Sequence, residues 1–259
     1  MNTLFFTQGI GTSTSQGVVG NLADGFGWWK GINGILLLFG ILSFILFLHI
    51  EIPETHKNSE DSKEDIALGD RISNPAFWYF FLIFGCYFVA EHGIMNWLLI
   101  YCREQLEMST GKASIYLALF FGGITIGRLL LAPFVQKLGT LRSIGIFGSI
   151  GAVFYILAIV PSTEKTLFLL GFSGLFISIV YPTLVLAVQG FFQEKTVASV
   201  TGTIISAATV FDIGFNLIFG KMIDLVGFRM GFLILPVSIL CFILIFRLFI
   251  KRIKPERYI

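Results

Sequence analysis

Ionisable and amide side chains set inside long apolar runs are the first residues to question in this sequence. Glu91 lies in FLIFGCYFVAEHGIMNW, among apolar and small neighbours. A charge at the centre of a membrane helix costs roughly 2.5 to 3.5 kcal/mol on the insertion scale, so such a residue needs a reason to be there. On a helix, Tyr87 falls one turn away on the face of Glu91, and Tyr101 within reach of it. A carboxylate beside phenols accepts hydroxyl donors or takes up a proton, because desolvation favours the neutral acid. The alternative is a hydrogen bond that ties two helices. His92 projects from a different side and reads as structural, with a proton relay as the alternative. Asp212 and Asn216, in AATVFDIGFNLIFG, form an i, i+4 pair with Gly214 leaving room nearby. Carboxylate plus amide accepts from and donates to a polyol; the other reading is a helix–helix tie.

Further polar groups sit in the same kind of setting. Tyr181 and Gln189 bracket YPTLVLAVQ, where Pro182 removes a backbone hydrogen bond and bends the helix. Broken helices at mid-membrane mark solute sites in carriers, and a Tyr ring can stack on the C–H face of a sugar. Asn96 and Trp97 lie nearer a helix end, where a belt of interfacial aromatic residues is the plain explanation for Trp97. Thr7, Gln8, Thr12, Thr14 and Gln16 crowd the start of the chain, facing a cavity or holding helices together.

The elements that must position these residues are membrane helices. Of 259 residues, 55% are hydrophobic and 13% charged, with a mean hydropathy of +0.84. Soluble domains carry about 25% charged residues, and no soluble core of this length absorbs so much apolar surface. Spanning helices need about 20 apolar residues, and seven segments qualify: 29–49, 75–102, 113–135, 142–160, 166–190, 198–220 and 231–250. The Gly-, Ser- and Thr-rich opening, LFFTQGIGTSTSQGVVGNL, reads as a weaker eighth helix suited to close packing. Residues 51–74 mix Glu, Asp, Lys and Ser without apolar periodicity and read as a solvated linker. With eight spans, twelve of the eighteen Lys and Arg fall on the side of the termini and six on the other, which puts both termini in the cytoplasm.

A repeated frame divides the chain. GNLADGFGWWKG at 20–31 and GKMIDLVGFRMG at 220–231 share Gly20/Gly220, Asp24/Asp224, Gly27/Gly227, Trp28/Phe228 and Gly31/Gly231. Each copy leads into a last long apolar run, as in an outer turn joining the final helices of a bundle. Glycine allows the turn, and the Asp is expected to cap it or bond loop amides. The expected organisation is therefore 1–50, the last two helices of an incomplete N-terminal bundle; 51–74, a cytoplasmic linker; and 75–259, a six-helix bundle with a short basic cytoplasmic tail. The fold class is an all-α polytopic membrane protein.

This arrangement resembles the major facilitator superfamily, from its fifth to its twelfth helix. GRLLLAPFVQKLGTLRS at 127–143 is similar to the family's basic helix–loop–helix signature, with Gly127 and Arg128 ending one span, Gly139 turning and Arg142 opening the next. The resemblance implies a structural role for these four at a cytoplasmic gate. CYFVAEHGIMNWLLIY at 86–101 and GLFISIVYPTLVLA at 174–187 resemble fucose-permease-like sugar carriers. The resemblance implies secondary transport of a small polar solute, a sugar, coupled to protons by alternating access. Glu91, Tyr87, Asn96, Tyr101, Tyr181, Gln189, Asp212 and Asn216 are the candidate substrate-binding residues, and Glu91 and Asp212 the candidate proton-coupling acids. The family's first four helices, where its principal coupling acids are expected, have no counterpart here. A truncated carrier, or one with a separately encoded N-terminal half, is the expectation. Export of amphipathic drugs and a non-transporting membrane scaffold remain the alternatives.

Other classes find no support in the residues. Cys86, Cys102 and Cys241 show no metal-ligand spacing and read as packing residues. No phosphate-binding glycine loop, nucleophile–base set or nucleic-acid footprint is present, so neither cofactor, metal nor enzyme activity is expected. The partners expected are a small solute, protons and the lipid of a plasma membrane.

Overall fold

The computed structural model describes residues 10–19, 21–22, 29–49 and 72–252. The linker, the end of the basic tail and most of the first repeat (Gly20, Asp24, Gly27 and Trp28) lie outside the described residues. Those that are described form helices: α1 (Trp29–Leu48), α2 (Pro75–Glu104), α3 (Thr110–Leu138), α4 (Thr140–Ile159), α5 (Glu164–Leu167), α6 (Leu169–Ile177), α7 (Val180–Gln189), α8 (Glu194–Val226), α9 (Phe228–Phe232) and α10 (Ile234–Arg252). Among the described residues seven stretches are long and apolar enough to cross a membrane, with α5–α7 making one broken span and α9–α10 another. A helical segment at 10–19 precedes them.

Local chemistry explains the boundaries. Asn74 accepts from Ala76 N at 2.9 Å, and Pro75 takes the first helical position of α2, where no N–H is missed. Ser109 caps α3 through Lys112 N at 3.3 Å. Gly139 (φ +81°) joins α3 to α4, and Gly227 (φ +80°) joins α8 to α9, each as the single residue between two helices. Those backbone angles suit only glycine at low cost. The second repeat thus owes its turn to Gly227, while Asp224 lies exposed in the last turn of α8. No side chain caps α9, so the expected capping by this Asp is not found.

Packing follows from side-chain size. Along α3, a Cβ on Gly123 would come within 2.0 Å of Gly171 O, and one on Gly127 within 2.1 Å of Leu175 O. From the other side, a Cβ on Gly174 would meet Phe120 O at 2.3 Å. Backbones therefore touch where α3 crosses α6, the small-xxx-small solution of membrane helices. The 10–19 segment docks on α3 in a looser version of this contact. Ser13 Oγ donates to Ala118 O at 2.9 Å, and a Cβ on Gly17 would stand 3.6 Å from Ala118 Cβ. Elsewhere aromatic rings fill the core, as where Phe80, Phe191 and Phe249 meet with centroids 5.0 to 5.6 Å apart. In contrast, α1 is exposed along nearly its whole length, with Leu36, Leu37, Leu38 and Leu48 more than half open. Such a helix is stable only with apolar surroundings in place of water.

The span α5–α7 breaks at Ser178 and Ile179. Pro182 is the cause: its ring displaces the carbonyl four residues earlier, that of Ser178, and it offers no N–H. The ladder resumes at once, with Thr183 N donating to Ile179 O at 3.0 Å. Ser178 Oγ covers part of the defect by donating to Leu175 O at 2.7 Å. The bend lies just before Tyr181, so it decides where that ring points.

Candidate functional site

Two helices supply the site. α2 and α8 run side by side in the same direction. Phe81 meets Phe211 (6.1 Å), His92 meets Asp212 and Trp97 meets Phe219 (5.1 Å), the positions on both helices rising together. An i, i+4 pair on each helix, His92/Asn96 and Asp212/Asn216, meets its counterpart across the seam.

The contact is a continuous hydrogen-bonded row. His92 Nδ1 lies 2.7 Å from Asp212 Oδ2. Asn216 Nδ2 donates to Asp212 Oδ1 at 3.1 Å and to Asp212 O at 3.0 Å. Asn216 Oδ1 in turn accepts from Trp97 Nε1 at 3.0 Å and from Asn96 Nδ2 at 3.3 Å. An indole nitrogen only donates, which fixes the orientation of the Asn216 amide. The row is graded in depth: the Asp212 side chain is 6% exposed and that of His92 34%, with Asn96 open beyond it.

An aromatic shelf adjoins the row. Phe88 stacks on the His92 ring, with centroids 5.1 Å apart and planes 20° from parallel. Tyr181 leans on Phe88 and Phe84 at 5.9 and 6.1 Å. Phe84 and Phe88 are buried, so of these rings the half-buried Tyr181 is the one left to stack on a ligand, beside the imidazole and amide groups of the row.

Glu91 stands behind the row, within electrostatic range of His92 and Asp212. It is 8% exposed, on the buried side of α2, with the Tyr87 hydroxyl as hydrogen-bonding neighbour and the Arg128 guanidinium within electrostatic range. Tyr155 closes this side by donating to Ala90 O at 2.7 Å. Arg128, half-buried on α3, therefore faces the acid at the bundle interior, whereas Arg142 is exposed in the first turn of α4 beside Gly139. Gly127 is occupied in the seam with α6, where its missing Cβ leaves space for Ser178 Oγ.

Two other candidates lie apart. Tyr101 is buried, stacked on Phe232 at 4.0 Å and bonded to Ser162 Oγ at 2.6 Å. It lines a separate cavity of about 270 Å³ with Ser162, Arg229 and Phe232. Gln189 is exposed at the last residue of α7, the far end of its span. Thr7 and Gln8 lie outside the described residues. Of the residues singled out by type and spacing, Asn96, Asp212 and Asn216 come together with Tyr181 nearby, while Glu91 and Tyr87 form a second group behind them. His92, Trp97 and Phe88 complete the first group. The signal for His92 was present in the sequence, as the i, i+4 match of His92/Asn96 to Asp212/Asn216. Among the described residues no cluster of His, Cys, Asp and Glu has the makings of a metal site.

Comparison with known proteins places this geometry. Residues 1–214 match the Major Facilitator Superfamily. Two curated relatives from strains of Helicobacter pylori, each described as a "Putative glucose/galactose transporter", are 24% identical over 183 and 176 residues. The matches cover 70% and 67% of this chain and 43% and 42% of theirs, so the chain spans less than half the length of these relatives. The crystal structure of an MFS transporter, FucP, in the outward conformation superposes with a TM-score of 0.59 at 18% identity, over 85% of this chain and 53% of that one. Apolar helices, polar groups held between them and a match over most of the sequence agree: the chain belongs to the Major Facilitator Superfamily, a family of membrane transporters.

Proposed function

We propose that this chain carries the C-terminal six-helix bundle, and the last two helices of the N-terminal one, of a proton-coupled sugar carrier working by alternating access. The observation that carries the reading is the polar row from His92 to Asn96 and Trp97, edged by the rings of Phe88 and Tyr181. A monosaccharide rests its C–H face on the half-buried Tyr181 ring and makes hydroxyl bonds to the open end of the row, at His92 and Asn96. Glu91, buried beside Tyr87 and Arg128 and within electrostatic range of His92, is the proton-accepting acid behind the row. The names of the Helicobacter relatives support a hexose as the solute. The surplus of Lys and Arg on the side of the linker and the tail supports cytoplasmic termini in a plasma membrane. A partner bundle supplying four further helices completes the path between the halves.

Binding tests this directly. The chain in lipid nanodiscs, titrated with glucose or galactose, gives a saturable change in Trp97 fluorescence that is absent from Trp97→Phe. No saturable signal for any monosaccharide from folded protein, by fluorescence or equilibrium dialysis, sinks the sugar reading; saturable binding of amphipathic cations instead moves it to drug export. Co-expression with four upstream helices then restores proton-driven uptake in liposomes if the carrier is split.

A further inference from the structure

The hydrogen-bond inventory of the row separates groups that hold the site from groups that meet solute. Asn216 has two N–H donors and one carbonyl oxygen with two lone pairs. Its Nδ2 serves Asp212 O and Oδ1, and its Oδ1 serves Trp97 Nε1 and Asn96 Nδ2. The amide is saturated. Asp212 spends one oxygen on Asn216 and the other on His92, and its side chain is 6% exposed. Neither is arranged to take up a further ligand. Beyond them stand His92, 34% exposed, and the open Asn96, which donates one N–H inward and keeps its second N–H and its carbonyl oxygen.

The imidazole decides the chemistry. An ionised carboxylate only accepts, so the 2.7 Å contact requires the proton on His92 Nδ1. Phe88, stacked at 20° to the ring, stops it rotating out of that bond. With Nδ1 engaged and the ring plane held, Nε2 of the neutral ring is left as a bare acceptor. We infer that Asp212 and Asn216 are positioning residues, and that the groups offered to a solute hydroxyl are His92 Nε2 and Asn96 Oδ1. The inference rests on the proposed sugar site for the identity of the solute, but not for the wiring of the pair. The two outward acceptors select a solute presenting two hydroxyl donors on one edge, and the second Asn96 N–H is left to donate to a solute oxygen. A derivative methylated at those hydroxyls is rejected, while an isostere that keeps them is not.

The wiring is testable without any solute. In the full chain labelled with ¹⁵N-histidine in nanodiscs, His49, His56 and His92 give three ring signals, and His92→Gln assigns the third. The expected His92 pattern is a protonated Nδ1 and an unprotonated Nε2, shifting towards the Nε2-protonated tautomer in Asp212→Asn. A wild-type His92 protonated on Nε2, alone or together with Nδ1, overturns the inference. Affinity supplies the second readout. His92→Phe is expected to lose tenfold or more in monosaccharide affinity, and His92→Gln, with an acceptor near Nε2, to recover most of it. Asp212→Asn loses a similar factor in the wild-type background and little more in His92→Phe, as a group acting through His92 must. Equal losses in both backgrounds place Asp212 on the solute and refute the positioning role. A folded chain that binds no sugar yet has the expected tautomer sinks the sugar reading alone and supports the wiring.

Discussion

The α3–α6 seam and the α2–α8 seam each join two apolar helices, by opposite means. Between α3 and α6 the side chains have been removed: Gly123, Gly127 and Gly174 bring backbone against backbone, and an added Cβ there lies 2.0 to 2.3 Å from a carbonyl oxygen. Between α2 and α8 the joining is done by polar side chains over the length of a few turns. The first contact has one geometry and nothing to exchange with. Beyond the bonds it makes across the seam, the second keeps polar groups on His92 and Asn96 open to a solute hydroxyl or a water, so it can register a ligand. A carrier needs both kinds, a rigid pair to transmit movement and a polar one to sense its cargo. The glycine seam is therefore expected to govern stability, and the polar seam to govern affinity.

The largest effect should come from the glycine seam. Gly123→Ala forces apart two backbones with no flexible atom to yield, at a cost of about 3 kcal/mol. That lowers the melting temperature by roughly 10 °C, read by thermal unfolding with size-exclusion detection, and an unchanged melting point would end the idea of a rigid scaffold. Next comes Asp212→Ala, which leaves His92 Nδ1 and one Asn216 amide hydrogen without their carboxylate. Interhelical bonds in membranes are individually modest, so about 1 to 2 kcal/mol of stability is expected to go. Sugar affinity, measured on the same sample, should fall by a larger factor than that of any variant in the glycine seam.

Two smaller perturbations sharpen the contrast. Tyr101→Phe removes the 2.6 Å bond to Ser162 but keeps the stack on Phe232. It should cost about 1 kcal/mol and leave monosaccharide affinity unchanged, since Tyr101 lines a different cavity. A tenfold loss of affinity would bring it back into the site. Gly214→Ala is the quietest: nothing lies within 4 Å of the added Cβ, although the residue sits between Asp212 and Asn216 on α8. A shift of less than about 2 °C is expected from so open a position. A larger loss would mean that this stretch of α8 is pressed against another helix in the working carrier.

Particular residues explain what could be read in advance. Helices and their limits were legible because lipid imposes a length and a polarity that local sequence must meet, and because a one-residue turn at Gly139 or Gly227 leaves a glycine in plain view. Pro182 announced its break for a similarly local reason. Glu91 drew attention as the most conspicuous acid, yet it faces Tyr87 and Arg128 while the open polar row forms around its neighbour. Tyr101 was grouped with Glu91 by helical phase, a measure whose error grows over ten residues; Ser162, from a distant loop, claims it instead. Gln189 shared a helix with Tyr181 but ends up at the far end of the span.

By itself, the sequence determined a membrane-embedded helical chain, its spans, its turns and the small set of polar residues worth examining, since each depends on composition and spacing within a few turns. Tertiary structure alone decided which of those residues meet. Whether His92 turns its Nδ1 to Asp212, and whether Glu91 looks inward, depends on the rotation of each helix against its neighbour. That rotation is set by which faces carry glycine and which carry rings on helices more than a hundred residues apart.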